Sequence, residues 1–235
     1  MNDYTVMADA AGGRVREATE WIVSYWYNAD CNDRPRVLLI GDSICNGYQP
    51  FVRDELAGTA YVAFYASSKC VTDRSYLREL SYILDEYDYA VIHYNNGLHS
   101  LLTDPLRWEA GLRAALQLIR EKGKGAKLIW ASSTPVDKPD APEKVNALNA
   151  IAARVARELN IPVNDLFALM DPLDRRTFWV DPYHYNDDGK KMQARQVADA
   201  VLSAMGKTRA SENDAAAALS SAASETGPDG RVVTR

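Results

Sequence analysis

From residue 36 onward, short apolar runs alternate with stretches whose apolar residues recur at helical spacing, the pattern of a parallel sheet covered by helices. Five runs read as strands: Arg36–Gly41 (RVLLIG), Ala60–Ala66 (AYVAFYA), Asp88–Tyr94 (DYAVIHY), Ala126–Ala131 (AKLIWA) and the short Ile161–Asn164 (IPVN). The clearest helix spans Pro105–Lys122. Asp104 stands as its N-cap, Leu112, Ala115, Leu116 and Ile119 share one face, and Gly123 falls where a C-terminal stop is expected. A second helix runs from about Glu143 to Leu159 and a third from Asn186 to Met205, with shorter ones after Pro50 and Ser75. These elements predict one α/β domain of three layers, α/β/α, around a five-stranded parallel sheet.

Residues before 36 are ambiguous, because Trp21, Ile22, Val23, Tyr25, Trp26 and Tyr27 suit either a helix face or an edge strand. A helix up to about Glu20 followed by extended chain is the expectation. Residues 1–35 are thus an aromatic lead-in packed on the core, and 36–206 form the domain. Residues 207–235 are rich in Ala, Ser and charged residues and carry too little apolar surface to offset the entropy of ordering, so they read as a disordered tail.

Composition narrows the classes. The 235 residues are 47% hydrophobic and 25% charged, ordinary for one globular domain. With 27 Lys+Arg against 32 Asp+Glu the net charge is −5 and no basic stripe forms, which argues against a nucleic-acid partner. No apolar run approaches the roughly 18 to 20 residues of a membrane helix, and MNDYTVMADAAGG lacks a signal peptide's basic flank and apolar core, so a cytoplasmic chain is expected. Cys31, Cys45 and Cys70 are odd in number and lack CxxC spacing, which suggests reduced thiols and neither a disulfide framework nor a metal site.

Ligands of an open parallel sheet sit outside the carboxyl ends of its strands. Three consecutive ends are polar here: Gly41-Asp42-Ser43, Ser67-Ser68-Lys69-Cys70 and Asn95-Asn96-Gly97-Leu98-His99. Ser43 is either the N-cap of the helix that follows or a nucleophile facing the crevice. A nucleophilic serine needs a base, and the chain has three histidines. His93 lies inside a strand and reads as a core residue, and His99 sits beside a strand end where it lines a pocket. His184 follows Asp181 by three residues in VDPYH. There Asp181 can accept from Nδ1–H and leave Nε2 to take a serine proton, unless both are merely turn residues. Oxyanion donors would come from the Ser43 N–H, an N–H near Cys70 and the Asn95 amide.

In this order, Gly41-Asp42-Ser43, Asn95 and Asp181-Pro182-Tyr183-His184 resemble the SGNH hydrolase superfamily, also called GDSL esterases and lipases, over residues 36 to 205. LLIGDSI resembles the nucleophile block, and WVDPYHYNDDGKKMQARQVADAV resembles the Asp-x-x-His block. The resemblance implies a flavodoxin-like fold, Ser43 as nucleophile, His184 as general base, Asp181 as its orienting carboxylate and no cofactor. HYNNGLHS departs from the family's Gly-x-Asn-Asp, so the oxyanion asparagine is carried to Asn95 with Asn96 as the other register. Cys70 falls closest to the family's glycine N–H donor, and Asp42 is assigned to holding the turn.

The aromatic lead-in together with the GDS and NNGLH blocks is similar to a bacterial branch acting on carbohydrate esters, which implies removal of acetyl groups from sugars. Trp21, Tyr25, Trp26, Tyr27 and Trp179 offer flat faces to sugar rings, though core packing is the other reading for them. The expected partner is a small-molecule or oligosaccharide ester. The competing readings are an acyl esterase, thioesterase or lipase on other substrates, and a glycan-binding protein without chemistry.

Overall fold

The structure, a computed structural model, describes residues 17–209. Most of the expected N-terminal helix and the tail from 210 lie outside those residues; residues 17–20 are not helical. Among the described residues the chain forms β1 (Ile22–Trp26), β2 (Arg36–Gly41), α1 (Ser43–Glu55), β3 (Tyr61–Ser67), α2 (Tyr76–Glu86), β4 (Val91–Tyr94) and a 3-10 turn (Leu98–Ser100). There follow α3 (Pro105–Lys122), β5 (Lys127–Ala131), α4 (Ala141–Glu158), β6 (Val163–Asn164), α5 (Leu166–Met170), α6 (Arg175–Phe178) and α7 (Asp187–Ala204).

The α/β class holds, with one correction to the sheet. It has six strands in the order β1-β3-β2-β4-β5-β6, and β1 runs antiparallel on β3 while the other five are parallel. The aromatic lead-in resolves as an edge strand because Ile22 to Trp26 pair with Ser67 to Ala63 and bury only part of their side chains. Residues with bulky β-favouring side chains fit such a half-buried pleated position.

Period-two alternation splits the parallel strands into two cores. Leu38, Ile40, Tyr65, Ile92, Tyr94 and Trp130 pack under α2, α3 and α4. Val37, Leu39, Phe64, Val91, Ile129 and Ala131 pack under α1 and α7. Both faces are covered, which is why these strands read as nearly unbroken apolar runs.

A second correction concerns α1. It begins at Ser43 rather than after Pro50, and Pro50 lies within it. A proline removes one helical hydrogen bond and normally disfavours an interior position. Here Ile44, Cys45, Tyr48 and Val52 are buried along one face, and that packing holds the helix across Pro50.

Arg36 anchors the β1–β2 connection. Although buried, its guanidinium donates to the carbonyls of Tyr27 at 2.7 Å, Asn28 at 2.8 Å and Cys31 at 3.3 Å, and lies 4.4 Å from the centre of the Tyr87 ring. Replacing it leaves those carbonyls without their donor. Arg36→Met is expected to lower unfolding free energy by about 2–4 kcal/mol, read from urea denaturation at unchanged m-value.

Candidate active site

β2 lies between β3 and β4. The chain leaves β2 toward β3 and then crosses back to β4, so the carboxyl end of β2 is the point where the connections diverge. Gly41 ends that strand, and a Cβ there would stand 2.6 Å from the Cys45 Cβ, closer than side chains tolerate. Its bare backbone permits the tight entry into α1. Asp42 is the N-cap, its Oδ1 accepting from the Ile44 N–H at 2.9 Å. Ser43 is therefore the first helical residue and not the cap.

With its hydroxyl free of capping, Ser43 meets an imidazole 141 residues away: Oγ lies 2.8 Å from Nε2 of His184. His184 occupies a short loop closed by an antiparallel bridge between Trp179 and Tyr185 and by Val180 N–H donating to the His184 carbonyl at 3.0 Å. Asn186 then caps α7 through Gly189 N–H. Asp181 organises the loop. Its Oδ1 accepts from the N–H groups of Tyr183 at 2.8 Å and His184 at 2.9 Å, while Oδ2 lies 2.7 Å from Nδ1 of His184.

Partial burial raises the Asp181 pKa, but the His184 ring and the two backbone N–H groups outweigh it and hold the carboxyl below its ordinary value. An ionised carboxylate can only accept, so Nδ1 carries a proton, and when the ring is neutral Nε2 turns its lone pair toward Ser43. The arrangement can draw the serine proton onto the imidazole.

The other sequence-predicted residues separate. Asn95 directs Nδ2 to the Ala131 carbonyl at 2.8 Å and to Ser133 Oγ at 3.2 Å, which ties the ends of β4 and β5 together. Asn96 is a latch for the β3–α2 connection, donating to the Lys69 carbonyl at 2.8 Å and accepting from Val71 N–H at 3.1 Å. The Cys70 N–H donates to Asp73 at 3.0 Å and the thiol is fully buried, so this donor is engaged within the loop. Asp42, besides its cap, lines a small void with Asn95, Ser133 and Thr134. His93 is buried in β4.

His99 does line the cleft that holds Ser43 and His184, a cavity of about 380 Å³ completed by Glu17, Trp21, Leu98 and Tyr183. Of the five aromatic residues considered for sugar faces, Trp21 alone is among the residues lining this cleft. Tyr25 and Tyr27 pack on Phe64, Trp26 bonds Tyr89, and Trp179 packs on Tyr185.

Sequence reasoning missed Ser133 and Glu17. Ser133 was within reach: the strand ending at Ala131 is followed by Ser132-Ser133-Thr134, the same polar strand-end signal that marked the other three. Glu17 gave none, since nothing in its spacing ties it to a residue 82 positions later.

The fold and the matching family define the class of protein as a carboxylic ester hydrolase. Residues 39–192 match the GDSL-like Lipase/Acylhydrolase family, and the chain belongs to it. Among solved structures, a GDSL-like lipase from Bacteroides thetaiotaomicron superposes with TM-score 0.60 at 18% identity, covering 72% of this chain and 88% of its own. A putative acylhydrolase from Bacteroides fragilis gives 0.62 at 16%, covering 75% and 93%. An acetyl xylan esterase gives 0.62 at 19%, covering 71% and 100%. No curated protein matches the chain in sequence. Among the described residues, no helix is long and apolar enough to cross a membrane.

The lowered Asp181 pKa has a consequence for stability. A group whose folded pKa is depressed contributes above its unfolded value and loses that contribution as pH falls through the folded one. The Tm difference between wild type and Asp181→Asn is expected to be full above pH 3.8, the ordinary carboxyl value, and to close on further acidification. Thermal scans of both proteins across that range check it.

Proposed function

We propose that the protein is a serine esterase that hydrolyses short acyl esters, above all O-acetyl groups on carbohydrates. The observation that carries the reading is the continuous relay of Ser43 Oγ, the His184 ring and the Asp181 carboxylate at 2.8 and 2.7 Å. In the first step Ser43 Oγ bonds to the ester carbonyl carbon as its proton passes to His184 Nε2. The carbonyl electrons move onto oxygen. They return as the carbon–alkoxide bond breaks, and the His184 proton goes to the departing sugar hydroxyl. Water then repeats the sequence on the acetyl-serine, giving its proton to His184, and the products are acetate and free Ser43.

The oxyanion needs preorganised donors. The Ser43 N–H is the first of α1 and has no helical carbonyl to bond, which suits it to the role. Asn95 is assigned the second donor, its 3.2 Å contact to Ser133 being the weaker of its two and the one it exchanges for the developing charge. Cys70 and Asn96 are left as loop supports, consistent with their engaged groups.

A cleft of about 380 Å³ sits near the lower end of small-molecule pockets, roughly 300–1,000 Å³, and suits an acetylated sugar better than a long acyl chain. The side chain of Trp21 on its wall offers an apolar face to a ring. Two of the structural neighbours are an acetyl xylan esterase and an acetyl-xylooligosaccharide esterase, which agrees with this substrate class.

Acetate release from an activated acetyl ester and from acetylated oligosaccharides tests the reading. Ser43→Ala is expected to lower kcat by about a thousandfold or more at unchanged fold by circular dichroism. Undiminished turnover would remove Ser43 as nucleophile. Turnover of long-chain esters with none of acetyl esters would overturn the acetyl assignment. On acidification kcat/KM is expected to fall, because a protonated His184 has no lone pair for the serine proton, and Asp181 with its lowered pKa stays ionised meanwhile. A kcat/KM that does not fall on acidification would count against His184.

A further inference from the structure

The cleft contains a second imidazole–carboxylate pair that the esterase relay does not use. Nδ1 of His99 lies 2.5 Å from Glu17 Oε1, and the ring stands edge-on to Trp21 with centroids 6.0 Å apart. Both partners are fixed independently. His99 rides on the 3-10 turn, where Ser100 N–H donates to the Gly97 carbonyl at 2.8 Å. Glu17 belongs to a strap tied to the end of β3: its own N–H donates to Glu20, Glu20 accepts from Ser68 Oγ at 2.8 Å, and Trp21 N–H donates to the same hydroxyl at 3.0 Å.

A carboxylate accepts and does not donate, so a proton sits on His99 Nδ1, and in the neutral form of the ring Nε2 is an acceptor. His184 is paired in the same way, but there Ser43 meets Nε2. Among the described residues no hydrogen bond engages His99 Nε2, and the side chain is one of those that line the cleft with Ser43.

We propose that His99 Nε2 accepts a hydrogen bond from a free hydroxyl on the alcohol part of the substrate, with Glu17 as the positioning residue, so that the site selects esters of polyhydroxylated alcohols. The inference rests on the esterase reading and adds a specificity determinant to it. Esters without a neighbouring hydroxyl gain nothing from His99 Nε2.

The test compares kcat/KM on three substrates: 4-nitrophenyl acetate, a monoacetylated methyl glycoside with free hydroxyls, and the same glycoside with its other hydroxyls methylated. His99→Phe keeps a ring against Trp21 but removes the acceptor. It is expected to lower kcat/KM on the hydroxylated acetate by about ten- to thirtyfold, the scale of one substrate hydrogen bond, with less than about a threefold change on the other two. Glu17→Leu is expected to fall in the same direction, mainly through KM, and Glu17→Gln, which retains an acceptor for Nδ1–H, to recover most of the loss.

Equal losses on all three substrates would make the pair a structural clasp and overturn the proposal, as would an unchanged preference for the hydroxylated sugar. If His99→Phe does not fold, the Glu17 pair of variants carries the same comparison. Wild type that cleaves 4-nitrophenyl acetate but not the hydroxylated acetate overturns the inference and leaves the esterase standing. Wild type that cleaves none of the three overturns both.

Discussion

Everything at the cleft depends on α1 and α7 lying against each other on one face of the sheet. Ser43 is the first residue of α1, and His184 precedes α7 by three residues. A single hydrogen bond contributes only about 0.5–1.5 kcal/mol net, too little to bring together groups 141 residues apart. The ordering comes from burial: Ile44, Cys45, Tyr48 and Val52 of α1 share one apolar cluster with Ala194, Val197, Ala198 and Val201 of α7. The small alanines on α7 let the helices approach closely. The serine and the imidazole are thus held in register by packing whose energy does not depend on their chemistry, as the proposed relay requires.

The parts of this arrangement that were legible in the sequence are those written in local patterns. RVLLIG and DYAVIHY declare central strands because both faces are buried, and Asp104-Pro105 with Gly123 marks α3 at both ends. The DxxH spacing offers Asp181 as a partner for the His184 ring beside the plain turn reading, and the structure shows it bonded to the ring and to the His184 N–H as well. What escaped was decided by distant pairing. Whether Trp21 to Tyr27 form a helix face or a strand depends on the free edge of β3, which no local pattern reports. Likewise Pro50 looks like a helix boundary until the burial of Tyr48 and Val52 on either side of it is known. The direction of the Asn95 amide was set by Ala131 at the end of a neighbouring strand and Ser133 just past it, outside the reach of any motif.

β1 changes more than the strand count. An antiparallel edge strand enters the sheet from the carboxyl end of β3, and this brings residues 17–21, which lead into it, beside the cleft. That is why Glu17 and Trp21, early in the sequence, stand beside Ser43. The wall they form is fastened at Ser68, just past the end of β3, and belongs to the sheet as much as to the strap. In a doubly wound sheet the loops after the strands ordinarily build the pocket; here a segment before the first strand contributes as well.

The three histidines show how environment and not residue type assigns a role. His93 lies on β4 with no exposed surface, and burial pushes its pKa down to about 3. Asn164 Nδ2 lies 3.0 Å from its Nε2, and because an amide nitrogen only donates, that ring nitrogen accepts and the ring is neutral, as a core residue must be. His99 and His184 both keep contact with the cleft and both have a carboxylate on Nδ1, which places a proton on that nitrogen in each. They differ in what meets Nε2: a serine hydroxyl at 2.8 Å for His184, and no hydrogen-bond partner among the described residues for His99. In the proposed reaction the first moves a proton between enzyme and substrate, and the second, in its neutral form, receives a hydrogen bond from the substrate alcohol. Because His93 stays uncharged above about pH 3, its own titration plays no part in the pH dependence of activity above that point.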